Sequence, residues 1–389
     1  MFPLPPAAET ILMSFAVGFS EPTFQRVLPL VVGAIVTPSR RTVSAIVWTM
    51  RTVLRGHFTD FHRVFSRASW SVWPLGLLLV RAILKWIPDG APIVVALDDT
   101  TSQHRGKRVY GKGCHRDAVR SAQRHVVFKW GHKWIVLAIT VKCPWASRPW
   151  ALPVLAALYR PSDLDKKEGR RHRTALDLAR KMMAALLHWF PERKFVFLGD
   201  GGYASHELVR FCSRHAPRAT LVSRFRGDAN LYAAPPKRER KRGRPRAKGR
   251  KLPSPEKVVA RSRLRKSTVT WFGGGTRRVG WVNGTGHWYK GGAGLVPIRW
   301  VYVRDLDGTH RDEYFFTTDL ELKPPEIISL YTRRWPIETT FQEVRAHLGF
   351  ETTRQWAKAS VLRMGPCLLG LFSVVSLIFA EHARRRKPR

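Results

Sequence analysis

The run at residues 93–97, IVVAL, constrains this fold more than any other stretch: it follows Gly90-Ala91-Pro92 and leads at once into Asp98 and Asp99. An apolar run rich in β-branched residues and lacking polar alternation predicts a strand buried on both faces, as in the centre of a helix-covered sheet. Carboxylates at the mouth of such a strand are costly to desolvate, so they call for a cation or a helix start. Capping accounts for one of them and leaves the other unexplained.

Two further runs, residues 125–130 (HVVFKW) and 133–141 (KWIVLAITV), are separated by Gly131 and His132, a spacing that predicts a hairpin. Residues 171–189 carry Leu176, Ala179, Met183 and Leu186 on one helical face. After them, residues 194–199 (KFVFLG) read as a second buried strand that delivers Asp200 into GDGGYAS. The βαβ order predicts that this strand lies parallel to a neighbour. Gly201 and Gly202 permit a sharp, phosphate-cradling turn beside Asp200, although an ordinary strand-to-helix turn has the same composition. Residues 207–215 then read as helix and 219–224 as strand.

The flanks differ. Residues 1–90 read as helical, and residues 39–54 carry a stripe of Val43, Ile46, Val47, Met50 and Leu54, which suits either a DNA-recognition helix or a bundle helix with a basic outer face. At Asp228 the composition shifts. Residues 235–255 hold a block of Lys and Arg with Pro and Gly, including Lys237, Arg242, Arg244 and Arg246, that cannot bury itself and is expected to be disordered or extended when free. Its GRPR core suits a narrow minor groove. Residues 268–318 read as short strands rich in Trp, Val and Gly, among them Trp271, Trp281, Trp288 and Trp300.

Residues 331–349 predict a helix with two adjoining stripes: Ile337, Phe341, Val344 and Leu348 on one, Tyr331, Arg334, Glu338 and Arg345 on the other. Pro336 either kinks this helix or starts a new one.

Sixty-eight Lys and Arg against 28 Asp and Glu give a net charge of +40, which calls for a polyanionic partner. Nucleic acid is the expectation and an anionic membrane surface the rival. The four cysteines are scattered, which indicates neither a disulfide framework nor a zinc site and fits a reducing compartment. Residues 364–380 carry no charge, but Pro366 and Gly370 interrupt them, and a core helix is expected there rather than a membrane span.

Three carboxylate positions thus stand in order: Asp98 or Asp99, Asp200, and Glu338. That order, the stretches LDDTTS and GDGGY, and above all Tyr331, Arg334, Glu338 and Arg345 at their spacings resemble the DDE transposases of bacterial insertion sequences, in the branch with a Tyr-Arg-Glu-Lys signature. Arg345 departs from the pattern, standing where lysine is usual; its guanidinium can still hold a phosphate.

The resemblance covers roughly residues 90–380. It implies an α/β, RNase H-like mixed sheet flanked by helices, with a β-rich insertion and an N-terminal helical region. The division expected is 1–90 helical and DNA-binding, 91–227 the first part of the catalytic domain, 228–318 the insertion, and 319–389 the final helices with a basic tail. It implies a transposase that cuts double-stranded DNA at terminal inverted repeats and joins the 3′ hydroxyl to target DNA as a homodimer. Two Mg²⁺ ions, replaceable by Mn²⁺, would sit on Asp99, Asp200 and Glu338, with Asp98 as the alternative first ligand, and Tyr331, Arg334 and Arg345 would contact DNA. Asp99 is preferred because Asp-Thr-Thr-Ser looks more like the family pattern. The expected location is the cytoplasm, on the nucleoid. A catalytically inactive DNA-binding relative and a basic membrane-associated protein are the alternatives.

Overall fold

A computed structural model describes residues 4–117, 121, 125–143, 145–236 and 246–386 of the chain. Five helices come first: α1 (Pro6–Met13), α2 (Glu21–Val36), α3 (Val43–Thr49), α4 (Phe58–Ser66) and α5 (Val72–Leu84). The first half of the sheet follows as β1 (Ile93–Gln103), β2 (Gly113–Arg116), β3 (Phe128–Lys142), β4 (Pro149–Tyr159), α6 (Ser162–Lys167), α7 (Ala175–Trp189), β5 (Phe195–Gly199), α8 (His206–Arg214) and β6 (Ala219–Arg224). The second half comprises β7 (Leu231–Tyr232), α9 (Pro255–Val259), β8 (Arg265–Thr270), β9 (Thr276–Lys290), β10 (Gly294–Asp305) and β11 (Glu313–Thr317). Three helices close the chain: α10 (Pro324–Thr332), α11 (Pro336–Leu348) and α12 (Lys358–Arg386).

At the centre the strand order is β4-β3-β1-β5-β6. β4 and β3, and β3 and β1, pair antiparallel, while β5 and β6 run parallel to β1. This is a mixed sheet of the kind the resemblance implies, and the parallel pairing of β5 is what the βαβ pattern anticipates. β1 holds the middle because both its faces are apolar: Ile93, Val95, Ala96 and Leu97 are fully buried. The helix between the two parallel strands, α7, starts on a capping box of Thr174 and Asp177 and buries Ala179, Met182, Met183, Leu186 and Leu187.

The later strands extend this sheet. β11 pairs with β6, and β10, β9 and β7 follow outward, so that eleven strands among the described residues form one sheet. Trp271, Trp281 and Trp300 are buried in it, and Trp288 packs against Phe225, Phe316 and His206. Lys237, Arg242 and Arg244 lie outside the described residues; Arg246 is exposed.

Three expectations need correction, and the two alternatives for Pro336 are resolved. Residues 125–141 form no hairpin: Gly131 and His132 lie inside the continuous strand β3, and Gly131 pairs with Gln103 of β1. A Cβ at Gly131 would stand 1.9 Å from the Ser102 carbonyl oxygen, so this glycine permits a close backbone approach rather than a turn. β1, for its part, continues through the aspartates to Gln103 instead of ending at them. The expected helix at 39–54 is only α3, capped by the Thr42 side chain. Just before it, Arg41 is buried, donating to the carbonyls of Ala34 and His347, which docks this segment on the last helices. Residues 331–349 divide into α10 and α11, with Pro336 as the first residue of α11, where its missing N–H costs nothing.

α12 is long and apolar enough to cross a membrane, but half of its most apolar window is buried in the protein. It packs along β4, where Ser373 Oγ donates to the Pro153 carbonyl at 2.8 Å, and Gly365 lets it rest on Trp134.

Candidate active site

Parallel pairing between β1 and β5 ends at Leu97 opposite Gly199, so Asp98 and Asp200 emerge side by side from adjacent strands. Crevices at the carboxyl ends of parallel strands are the usual ligand sites of such sheets. Asp200 is fixed twice: its carboxylate accepts from Gly202 N at 2.9 Å, and its carbonyl accepts from Ser223 Oγ at 2.7 Å. The two glycines therefore turn the chain around the Asp200 carboxylate itself.

The parity of β1 decides which aspartate faces which helices, since successive side chains point to opposite faces. Val94 belongs to the core cluster that includes Ile327, Ile328 and Tyr331 of α10, so the even positions face α10 and α11. Asp98 accepts from Arg334 Nη1 at 2.6 Å, and Arg334 Nη2 donates to Glu338 Oε1, also at 2.6 Å. Asp99 points the other way, pairing with Lys133 Nζ of β3 at 3.0 Å. The structure thus joins Asp98 to Glu338 through Arg334 and sets Asp200 close enough to act on both Asp98 and Asp99, while Asp99, preferred on motif grounds, turns toward Lys133.

The charges explain the arrangement. Burial pushes the Asp98 carboxyl up to about 7; Arg334 pulls it down, and Asp200 raises it again. Burial also raises Asp99, against the opposing pull of Lys133. Burial acts to lower the Arg334 pKa, but Asp98 and Glu338 more than offset this and hold the guanidinium firmly charged. Tyr203, next after the Gly201-Gly202 turn, is pushed up by burial and by the surrounding carboxylates, and its hydroxyl has no hydrogen-bond partner among the described residues.

Tyr331 is 4% exposed, its ring stacked on Phe315 at 4.0 Å, with the Arg334 guanidinium 6.0 Å from the ring centre. It packs the site from beneath. Arg345 lies over β1, donating to Thr100 Oγ1 and to the Thr101 carbonyl at 3.2 Å, and sits 3.7 Å from Glu351. Sequence reasoning missed Lys133, whose role depends on strand register, and Arg224, which pairs with buried Glu313 and feels the Asp200 charge.

All the donors here are carboxylate oxygens, which suit hard divalent cations. Burial first, and then the neighbouring Asp200, works against the ionised form of Asp98, and a divalent cation between the two carboxylates would relieve both. Among the described residues, no group of three His, Cys, Asp or Glu is close enough to enclose one ion, because Glu338 is turned onto Arg334.

Comparison with known proteins gives two family matches. Residues 14–278 match the family described as DDE superfamily endonuclease, and residues 294–375 match archaeal transposases described under the name ISC1217. No curated protein matches the sequence. Among solved structures, the chain resembles the piggyBac transposase in a cryo-EM synaptic complex with hairpin DNA, at 11% identity and a TM-score of 0.46, over 98% of this chain and 72% of that one.

Proposed function

Since the chain belongs to the DDE superfamily of endonucleases and is a transposase, we propose that Asp98, Asp200 and Glu338 are its three catalytic carboxylates, with Asp98 in place of Asp99. One observation carries this reading: a single guanidinium, that of Arg334, joins Asp98 to Glu338 beside Asp200. Asp99 has its own partner in Lys133 on the far face and serves to lock β1 to β3.

DDE enzymes as a class use divalent metal. Here Asp98 and Asp200 would hold it, with Glu338 as the third carboxylate. When bound, divalent ions, Mg²⁺ with Mn²⁺ as substitute, supply charge neutralisation at the phosphate and an acidified water. The chain's own groups do the rest. Arg334, which holds Asp98 and Glu338, would offer its charge to a non-bridging phosphate oxygen, and Arg345, anchored on Thr100 and Thr101, would hold the backbone along β1. Tyr331 keeps the Arg334 stem in place by packing, and Tyr203 seals the floor beneath the aspartates. The products proposed are cleaved transposon ends whose 3′ hydroxyls join target DNA, made by a homodimer in the cytoplasm on the nucleoid.

The test is metal-dependent nicking of labelled duplexes carrying the DNA that flanks the gene. Asp98→Asn, Asp200→Asn and Glu338→Gln should each abolish nicking and leave binding largely intact. Wild-type nicking by Asp98→Asn, together with an inactive Asp99→Asn, would return the assignment to Asp99.

A further inference from the structure

β3 reaches beyond its partner β1. Strand pairing with β1 stops at Gln103 opposite Gly131, whereas residues 128–130 continue along β2, with one further backbone bond from His104 N to the Trp130 carbonyl at 3.0 Å. This two-stranded ribbon carries Phe128 and Trp130 on one face, 62% and 58% exposed, although both are of a kind that a sheet normally buries. Arg116 and Cys114 of β2 stand directly opposite them and are exposed on the same face. Lys112 Nζ lies 5.5 Å from the Trp130 ring centre. Across the Arg105 loop stands Trp356, 65% exposed, beside exposed Arg354. Two adjoining clefts share His104 and Arg105 as a common wall; one is bounded by Phe128 and Trp130, the other by Arg354 and Trp356.

Exposed aromatic faces set among guanidinium and ammonium groups fit the bases and phosphates of an unpaired strand, because every base offers a π-face and every nucleotide a negative charge. A second copy of this chain fits poorly: a self-complementary contact would set Arg105, Arg116 and Arg354 against the same charges. The carboxylate in the first cleft, Asp117, is buried. Basic groups lie between the clefts and the aspartates: Arg345 covers buried Thr100, which follows Asp98 on its face of β1, and Arg345 and Lys129 converge on Glu351, at 3.7 and 2.7 Å. From Asp98 to Gln103 the strand spans about 17 Å at roughly 3.3 Å per residue, or about five nucleotide steps at roughly 3.4 Å each.

We propose that the β2–β3 ribbon and Trp356 form a stacking platform for unpaired nucleotides of the DNA strand, about five steps from the phosphate cut at Asp98 and Asp200. This rests on the proposed function, since it needs DNA to lie in that site. The platform holds strands that have left the duplex, whether the displaced partner or an opened end.

The experiment measures affinity of the full chain for a blunt duplex and for the same duplex with a single-stranded 3′ extension of about ten nucleotides. The wild type should prefer the extended DNA by about tenfold or more. Trp130→Ala and Trp356→Ala should bring that ratio toward one and leave blunt-duplex affinity within about twofold, while Trp130→Tyr keeps the preference. A wild-type ratio of one overturns the proposal, as does equal weakening on both DNAs. So does a change in sedimentation of the alanine variants without DNA, which would mark the patch as a contact between copies. Failure of the wild type to bind either DNA would sink the functional reading as well, whereas equal binding to both sinks only the platform.

Discussion

Arg334 donates to Asp98 across 2.6 Å although 236 residues separate them in the chain. Both side chains are mostly buried, 9% and 16% exposed, so the pair repays its desolvation only because Glu338 accepts from the second nitrogen of the same fork. That makes Arg334 the residue whose loss both stability and charge balance should register.

Arg334→Gln should lower stability by about 3 kcal/mol near pH 8, because it leaves Asp98 buried without its counter-charge. The loss shrinks at acid pH. Asp98 already has a raised pKa and, freed of Arg334, should be raised further, so falling pH neutralises it in the folded state. Thermal unfolding at several pH values checks this. Mg²⁺ should raise the midpoint of the variant more than that of the wild type; equal shifts would remove the idea that cation and arginine occupy one place.

Exchanging single carboxylates tests the face assignment. Asp98→Asn should lower nicking by about 10³-fold, with little change in DNA affinity. Asp99→Asn should act through the Lys133 pair and cost less than about tenfold. Rates and gel shifts on the same preparations distinguish the two.

His104 and His132 sit with ring centres 4.4 Å apart, and burial, before any neighbouring charge, lowers their pKa values to about 4 and about 3. Both are neutral in the folded chain, and an unfolded chain binds protons there from about pH 6.5 downward. Stability should therefore be intact above pH 6.5 and fall as pH drops toward 4, by about 3 kcal/mol for the pair. Asp98, with a raised pKa, acts in the opposite sense. The difference between wild type and His104→Gln in urea midpoints from pH 8 to pH 5 isolates the histidine part, and parallel curves would refute it.

Gly131→Ala should destabilise by about 3 kcal/mol or more, since its Cβ meets backbone, the Ser102 carbonyl, rather than a side chain that can move. A urea titration of the pure variant reads this directly. If residues 131–132 formed a loop, the cost would be near zero.

Deleting residues 237–251 should weaken nonspecific DNA binding and flatten its dependence on salt, since every phosphate that is no longer neutralised takes about 0.9 off the log–log slope. Titrations of a random duplex at several salt concentrations measure the slope. An unchanged value would mean that the cationic block binds no DNA.

Much of this was legible in the sequence, for identifiable reasons. β1, β5 and β6 are short apolar runs bounded by polar residues, and burial on both faces leaves that signature. β4 went unread because its prolines, Pro149 and Pro153, look like loop residues; it forms one edge of the central order, where prolines are tolerated. Gly131 looked like a turn because sequence does not distinguish a glycine that bends the chain from one that admits a neighbouring backbone. Which of Asp98 and Asp99 shares a face with Arg334 was equally closed to inspection. It depends on which face of β1 α10 and α11 cover, a fact written 236 residues away in the position of Arg334.

That separation also sets a clock. A ribosome adding about 5–20 residues per second needs roughly 12–50 s to travel from Asp98 to Arg334. Over that interval the nascent chain can already fold its early helices and the strands bearing the aspartates, yet it holds neither Arg334 nor Glu338. The proposed site is therefore completed only once α11 has emerged, and a chain interrupted before it carries Asp98 and Asp200 without Arg334 or Glu338.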